Sequence, residues 1–219
     1  MRAMFHTIAP RYDFITRVFS YGMDRRWKRA GVERAHLPAR PLVLDLASGT
    51  GDFSLLVRRR CPGARTVAAD VTERMLRLAR GRGLEDTVCG DAGALPFATA
   101  SFDCVCIGYG LRNFPNLETA VGEIARVTRP GGMLVSLDFF LPESPILRRL
   151  YLAYLYAQGA FWGLLLHGRA RVYTNIPDSL RSFVSIEEFS SLLSQAGYRP
   201  VDARSYLLGG IGLHWAAKP

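Results

Sequence analysis

The run DLASGTGD, Asp45 to Asp52, places Gly49 and Gly51 between an apolar segment and a helical one. A glycine turn at such a junction lets a ligand approach the backbone without meeting a Cβ. A dinucleotide-binding fingerprint would require a third glycine three residues after the second. Ser54 stands there, which disfavours a nicotinamide-type site. Asp70 closes the next apolar segment, about 20 residues beyond Gly51, where a carboxylate can accept hydrogen bonds from both hydroxyls of a ribose. Asp91 closes a third segment and can accept from an adenine amino group. The run GYGLRN, Gly108 to Asn113, follows a fourth. These four segments meet at the carboxyl edge of one sheet, the edge at which open α/β folds bind ligands.

The elements that must position these residues alternate from residue 41 onward. Strands are expected at Pro41 to Leu46, at TVAAD ending at Asp70, at TVCGD ending at Asp91, at FDCVCIG and at MLVSLDFF. Helices are expected from about Asp52 to Arg60, from Thr72 as N-cap to about Arg80, and from about Leu117 to Thr128. Pro130-Gly131-Gly132 should break the chain before the fifth strand. Ser185 and Glu188 have the spacing of a capping box, Gly197 ends that helix, and two strands near Val201 to Tyr206 and Ile211 to Ala217 form a closing hairpin. The fold class is α/β, a mostly parallel seven-stranded sheet with helices on both faces. Residues 1–40 precede the alternation and carry Phe5, Tyr12, Phe14, Phe19, Tyr21 and Trp27, which suggests a helical lid. The expected division is a lid over 1–40 and a main unit over 41–219, within one compact domain.

With 219 residues, 49% of them hydrophobic, the chain can bury a core without staples. Cys61, Cys89, Cys104 and Cys106 lack zinc-site spacing, so no metal is expected and a reduced, cytoplasmic protein is. Cys104 and Cys106 share one face of a strand and read as small core residues. The net charge of +9 raises nucleic acid and anionic membranes as partners. The cations are almost all arginine, Lys28 and Lys218 excepted, and apart from Arg58 to Arg60 they are dispersed. No basic and aromatic cluster of the kind nucleic-acid binding needs is visible, and no nucleic-acid partner is expected.

The glycine turn, Asp70, Asp91 and GYGLRN stand in the order and spacing of class I methyltransferases, which they closely resemble. That resemblance implies a Rossmann-like fold and S-adenosylmethionine (SAM) as cofactor. It places Asp45 near the methionine ammonium, Gly49, Thr50 and Gly51 along the methionine chain, and Asp70 on the ribose. Asp91 and the Ala92 backbone would serve the adenine, and Gly108 would lie beside the methionine moiety. Ala9 to Arg29, Gly108 to Asn116, Arg126 to Phe140, Pro177 to Phe183 and Gly209 to Pro219 further resemble the ubiquinone/menaquinone biosynthesis C-methyltransferases, the UbiE/MenG family. Departures include Asp24 where the family often has His, and Asp138 where its fifth strand usually ends in Glu. The resemblance implies C-methylation of a prenylated quinol, demethylmenaquinol or the matching benzoquinol.

For that chemistry Arg112 is the candidate to stabilise a quinolate, because a cation lowers the pKa of a neighbouring hydroxyl. Asn113 would orient a quinol oxygen, and Tyr12, Asp13 or His214 would relay the proton. Two alternatives stand beside these roles: Arg112 as a brace for its loop against a carboxylate, and His214 as a packed core residue. Leu150 to Leu166 is apolar apart from Gln158 and falls short of the ~20 residues that cross a bilayer. It is expected as a helix that is either interfacial, flanked by Arg148, Arg149, Arg169 and Arg171, or packed on the sheet. The sequence leaves open a homo-oligomer, and it leaves open two other functions: methylation of another lipophilic acceptor, and a SAM-binding scaffold.

Overall fold

The computed structural model describes residues 9–219; Phe5, one of the N-terminal aromatics, lies outside them. Two helices come first, α1 (Tyr12–Phe19) and α2 (Asp24–Arg34). Then β1 (Leu42–Leu46), α3 (Asp52–Arg60), β2 (Arg65–Asp70), α4 (Glu73–Gly81), β3 (Thr87–Cys89) and β4 (Phe102–Gly108) alternate. They are followed by α5 (Leu117–Val127), β5 (Thr128–Phe139), α6 (Pro145–His167), α7 (Asn175–Leu180), α8 (Ile186–Gln195), β6 (Val201–Tyr206) and β7 (Ile211–Ala217). The sheet runs β3-β2-β1-β4-β5-β7-β6. All pairings through β5 are parallel, and β7 lies antiparallel between β5 and β6. Strand order therefore reverses between β1 and β4, which opens a crevice at their carboxyl ends.

Side-chain alternation along the strands builds two cores. Val43, Cys104, Cys106, Val135 and Leu213 face one side, where they pack with Phe19, Trp27 and Val32 of the N-terminal helices and with Leu155 of α6. Leu44, Leu46, Val105, Ile107 and Leu134 face the other, against Ile124 of α5 and Phe189 and Leu193 of α8. The N-terminal segment thus shares a core with the sheet. A Cβ at Gly31 of α2 would stand 2.6 Å from Val135 Cγ1, so the glycine lets this helix lie directly on β5.

The capping box of α8 forms as expected: Ser185 Oγ accepts from Glu188 N at 3.1 Å and Glu188 accepts from Ser185 N at 2.7 Å. Gly197, at φ +94, ends the helix by turning Tyr198 N back onto Leu193 O at 3.0 Å. Three local expectations need correction. The third strand stops at Cys89; Gly90 N still reaches Asp70 O at 3.1 Å, but Asp91 sits in a tight turn bridged to Ala94. Pro130-Gly131-Gly132 does not precede the fifth strand but lies inside it, as an irregularity where the register with β4 shifts between Phe102 and Cys104. Thr72 occupies the N-cap of α4, yet its hydroxyl makes no cap bond; its backbone N–H is taken by Asp70 Oδ1 at 2.8 Å.

Candidate functional site

A cleft of about 250 Å³ opens at the β1/β4 switch point. Asp70, Asp91, Ala92, Gly49, Asn113 and Tyr12 all line it. Gly49 adopts φ +54 and gives its N–H to Asp70 Oδ2 at 2.9 Å. Thr72 N takes the other oxygen at 2.8 Å, and the carboxylate so held lines the cleft. Burial raises the Asp70 pKa, opposed by these N–H groups. Asp91 Oδ1 accepts from Gly93 N at 2.8 Å, which shapes the turn presenting Ala92. A Cβ at Gly49 would lie 3.3 Å from the Tyr12 ring, so the turn and α1 enclose the cleft wall together.

Below this cleft a smaller pocket is lined by Asp45, Thr50, Asp52, Lys28 and Gly108, with Tyr12 common to both. Asp45 Oδ2 accepts from Ser54 N at 2.8 Å and Ser54 Oγ at 2.9 Å, and burial pushes its carboxyl up to about 7 despite those bonds. Gly51, at φ +84, is the N-cap of α3. A relay of charge ties the turn to the N-terminal helices. Thr50 Oγ1 donates to Asp13 Oδ1 at 2.6 Å, and Arg82 donates to Thr50 O, Thr50 Oγ1 and Asp52 Oδ1 at 2.9, 2.7 and 2.9 Å. Lys28 Nζ donates to Asp52 Oδ2 at 3.0 Å and lies 3.6 Å from Asp24. Burial pushes the Asp52 carboxyl up, but Lys28 and Arg82 outweigh it and hold the pKa low.

Lys28, Tyr109 and Phe114 are site residues that the sequence reading missed. Lys28 is buried beneath the rings of Phe53 and Tyr109; its only signal was the i,i+4 pair with Asp24. Tyr109 lines the cleft from a left-handed backbone position (φ +60) between two glycines, a conformation no pattern of residue types announces.

The proposed catalytic residues separate. Tyr12 and Asn113 reach the cleft, whereas Asp13 lines neither pocket and is tied to the smaller one through its bond from Thr50. Asn113 Nδ2 donates to Tyr109 O at 3.3 Å, while its buried Oδ1 has no partner among the described residues. Burial raises the Tyr12 phenol far above its ordinary range, with Arg112 opposing. Arg112 itself is 6% exposed and is not among the residues lining the cleft; it forms an ion pair with the buried Asp138 and donates to Tyr109 O at 3.1 Å. His214 is not brought to the site. By strand parity it faces α8, between Phe140 and Phe189, with Nε2 3.3 Å from Ile186 O, and burial lowers its pKa to about 4.

Solved methyltransferases share this fold. A SAM-dependent methyltransferase of Aquifex aeolicus superposes with a TM-score of 0.59 at 17% identity, covering 86% of this chain and 88% of its own. Phosphoethanolamine N-methyltransferase 2 of Haemonchus contortus, solved with S-adenosylhomocysteine, gives 0.67 at 13% identity over 88% of this chain and 52% of its own. In sequence, the demethylmenaquinone methyltransferase of Thermus thermophilus is 42% identical over 200 residues, 89% of this chain and 91% of that protein. The UbiE C-methyltransferase of Desulfotalea psychrophila is 36% identical over 98% of this chain and 89% of its own. The signature of the ubiE/COQ5 methyltransferase family matches residues 1–218, and the chain belongs to that family.

Proposed function

We propose that this chain methylates a ring carbon of a prenylated quinol with SAM as donor, demethylmenaquinol or its benzoquinol counterpart. The observation that carries the reading is the single cleft in which Asp70, Asp91 and Asn113 meet beside the glycine turn. SAM fits the residues present: the Asp70 carboxylate in the cleft lining suits the ribose, Asp91 and Ala92 the adenine, and Asp45 with Gly49, Thr50, Gly51 and Gly108 the methionine end. When bound it supplies an electrophilic methyl on a sulfonium, which leaves as a neutral thioether and needs no acid.

The chain's own task is then to make the acceptor carbon nucleophilic. A quinol hydroxyl resembles tyrosine, with a reference pKa of about 10, and losing its proton enriches the neighbouring ring carbon. The unpartnered Oδ1 of Asn113 accepts from that hydroxyl and orients it. Tyr12 stays protonated and donates to a developing oxyanion, because burial raises its pKa. Asp13, hydrogen-bonded to Thr50 of the smaller pocket, takes the released proton through water. Arg112 acts through Asp138 and the Tyr109 carbonyl, holding the loop that presents Asn113. The lid role proposed for residues 1–40 is supported by Tyr12 of α1, which lines the cleft beside Gly49.

Labelled SAM, offered with dithionite-reduced or air-oxidised demethylmenaquinone, tests the reading. Label should appear on ring carbon and only with reduced acceptor, since an oxidised quinone has no ionisable hydroxyl and an electrophilic ring. Label on oxygen, or equal transfer to the oxidised form, overturns it.

A further inference from the structure

The outward face of α6 has the composition of an inward one. The helix is held on the protein by its other side: Leu155 is buried, Gly159 and Gly163 admit the backbone of the following loop, and Tyr151 donates to Gly210 O at 3.0 Å. A Cβ at Gly163 would lie 2.6 Å from Arg169 O, so this contact fixes which face points out. That face carries Ile146, Leu150, Ala153, Ala157, Phe161 and Leu164, spaced by three and four residues and all exposed. Leu150 is 62% exposed, Phe161 59% and Leu164 57%. No Asp, Glu, Lys or Arg occurs between Arg149 and Arg169. A solvated helix would carry its polar residues on this stripe. Phe14 of α1, 46% exposed, extends the patch by meeting Trp162 edge-on at 5.3 Å.

Charge decides what covers it. Arg148 and Arg149 flank the stripe at one end, Arg169 and Arg171 at the other, and all four are exposed without an ion-pair partner among the described residues. No acidic residue lies between Ser144 and Pro177. Two copies packed through α6, parallel or antiparallel, would bring arginine pairs of like charge together. An anionic lipid surface offers apolar depth for the stripe and phosphates for both arginine pairs. Among the described residues no helix is long and apolar enough to cross a membrane, which is compatible with a helix lying in the interface. We propose that the α6 face, with Phe14, docks this protein on anionic membrane. Phe14 stands two residues after Tyr12 of the cleft wall, on the same helix.

Flotation of the full chain with vesicles tests this without any acceptor, so it can fail while the methyltransferase reading stands. Vesicles of equal parts phosphatidylglycerol and phosphatidylcholine should bind the protein, salt should weaken the binding, and phosphatidylcholine alone should bind it far less. Phe161→Gln/Leu164→Gln should lower binding at least about tenfold. Arg149→Gln/Arg171→Gln should cost roughly fivefold per arginine. Both variants alter exposed side chains, and unchanged S-adenosylhomocysteine binding and melting verify their fold. Wild-type binding that is equal on neutral and anionic vesicles, or unaltered in both variants, overturns the proposal. So does absence of vesicle binding together with a lipid-free dimer that Phe161→Gln/Leu164→Gln dissociates, which assigns the face to a second copy.

Discussion

Asp70 and Asp138 occupy matching places and have opposite fates. Each lies at the carboxyl end of a parallel strand, each is buried, and each accepts N–H groups from neighbouring backbone: Gly49 and Thr72 for Asp70, Leu111 and Phe139 for Asp138. Burial raises both pKa values. The difference is the charged partner. Arg112 closes an ion pair on the fully buried Asp138, whereas Asp70 has no cation on it among the described residues and lines the cleft. A strand-end carboxylate can serve a ligand when it faces a cleft, and a guanidinium within reach converts it into a brace.

The largest effect should come from the closed pair. Asp138→Ala leaves the Arg112 cation buried and unpaired, a change that costs about 3–5 kcal/mol, to be read from urea unfolding. The apolar double variant Arg112→Met/Asp138→Leu should regain most of that loss, because an ion pair removed whole leaves no stranded charge. Normal stability of Arg112→Ala with turnover abolished would break the comparison and return Arg112 to the chemistry.

Legibility follows the same division. The glycine turn, Asp70 and Asp91 were readable because strand ends and turn residues are local features, and so were the α8 capping box and the β6–β7 hairpin. For Arg112 the choice between quinolate and brace was not legible, because its carboxylate partner lies 26 residues away on β5. Lys28 was overlooked because burial of an amine beside Asp52 needs α2 packed on α3. His214 depends on parity alone: one residue of register separates it from Leu213, on the opposite face of the sheet.

His214 gives the second effect. Its folded pKa of about 4 lies below the ordinary histidine value of 6.5, so the unfolded chain binds more protons between those limits. Its contribution is complete above pH 6.5 and is lost as pH falls towards 4, up to about 3 kcal/mol. His214→Leu should flatten that acid limb of stability while turnover per folded molecule at neutral pH stays the same. A collapse of turnover with the fold intact would restore it as a proton relay.

At the open carboxylate the expected change is in binding. Asp70→Ala removes the acceptors proposed for two ribose hydroxyls at about 1 kcal/mol each, a loss of roughly thirtyfold in SAM affinity by calorimetry. Stability should change far less than in Asp138→Ala, because Gly49 N and Thr72 N can turn to water in the cleft. Equal destabilisation by both alanine variants would erase the distinction between them.

At neutral pH the smallest effect is that of Asp45, which lies between these extremes: two bonds from Ser54 within a buried site, with Lys28 and Asp52 near. Its folded pKa of about 7 stands above the ordinary carboxyl value of about 3.9. The protonated form therefore favours folding, and the stability this group lends falls as pH rises from about 4 to about 7. A ligand ammonium demands the reverse, because only the carboxylate attracts it. Affinity for S-adenosylhomocysteine should thus be level above about pH 7 and fall about tenfold per unit below it, as each binding event must first expel a proton. 5′-Methylthioadenosine has no amino-acid end, so its affinity should be insensitive to Asp45 titration, and Asp45→Asn should bind both ligands without that slope. Calorimetry in buffers of different ionisation enthalpy would count the proton directly. A flat profile for S-adenosylhomocysteine, or the same slope for 5′-methylthioadenosine, removes Asp45 from the methionine end and leaves it as a buried anchor for the start of α3.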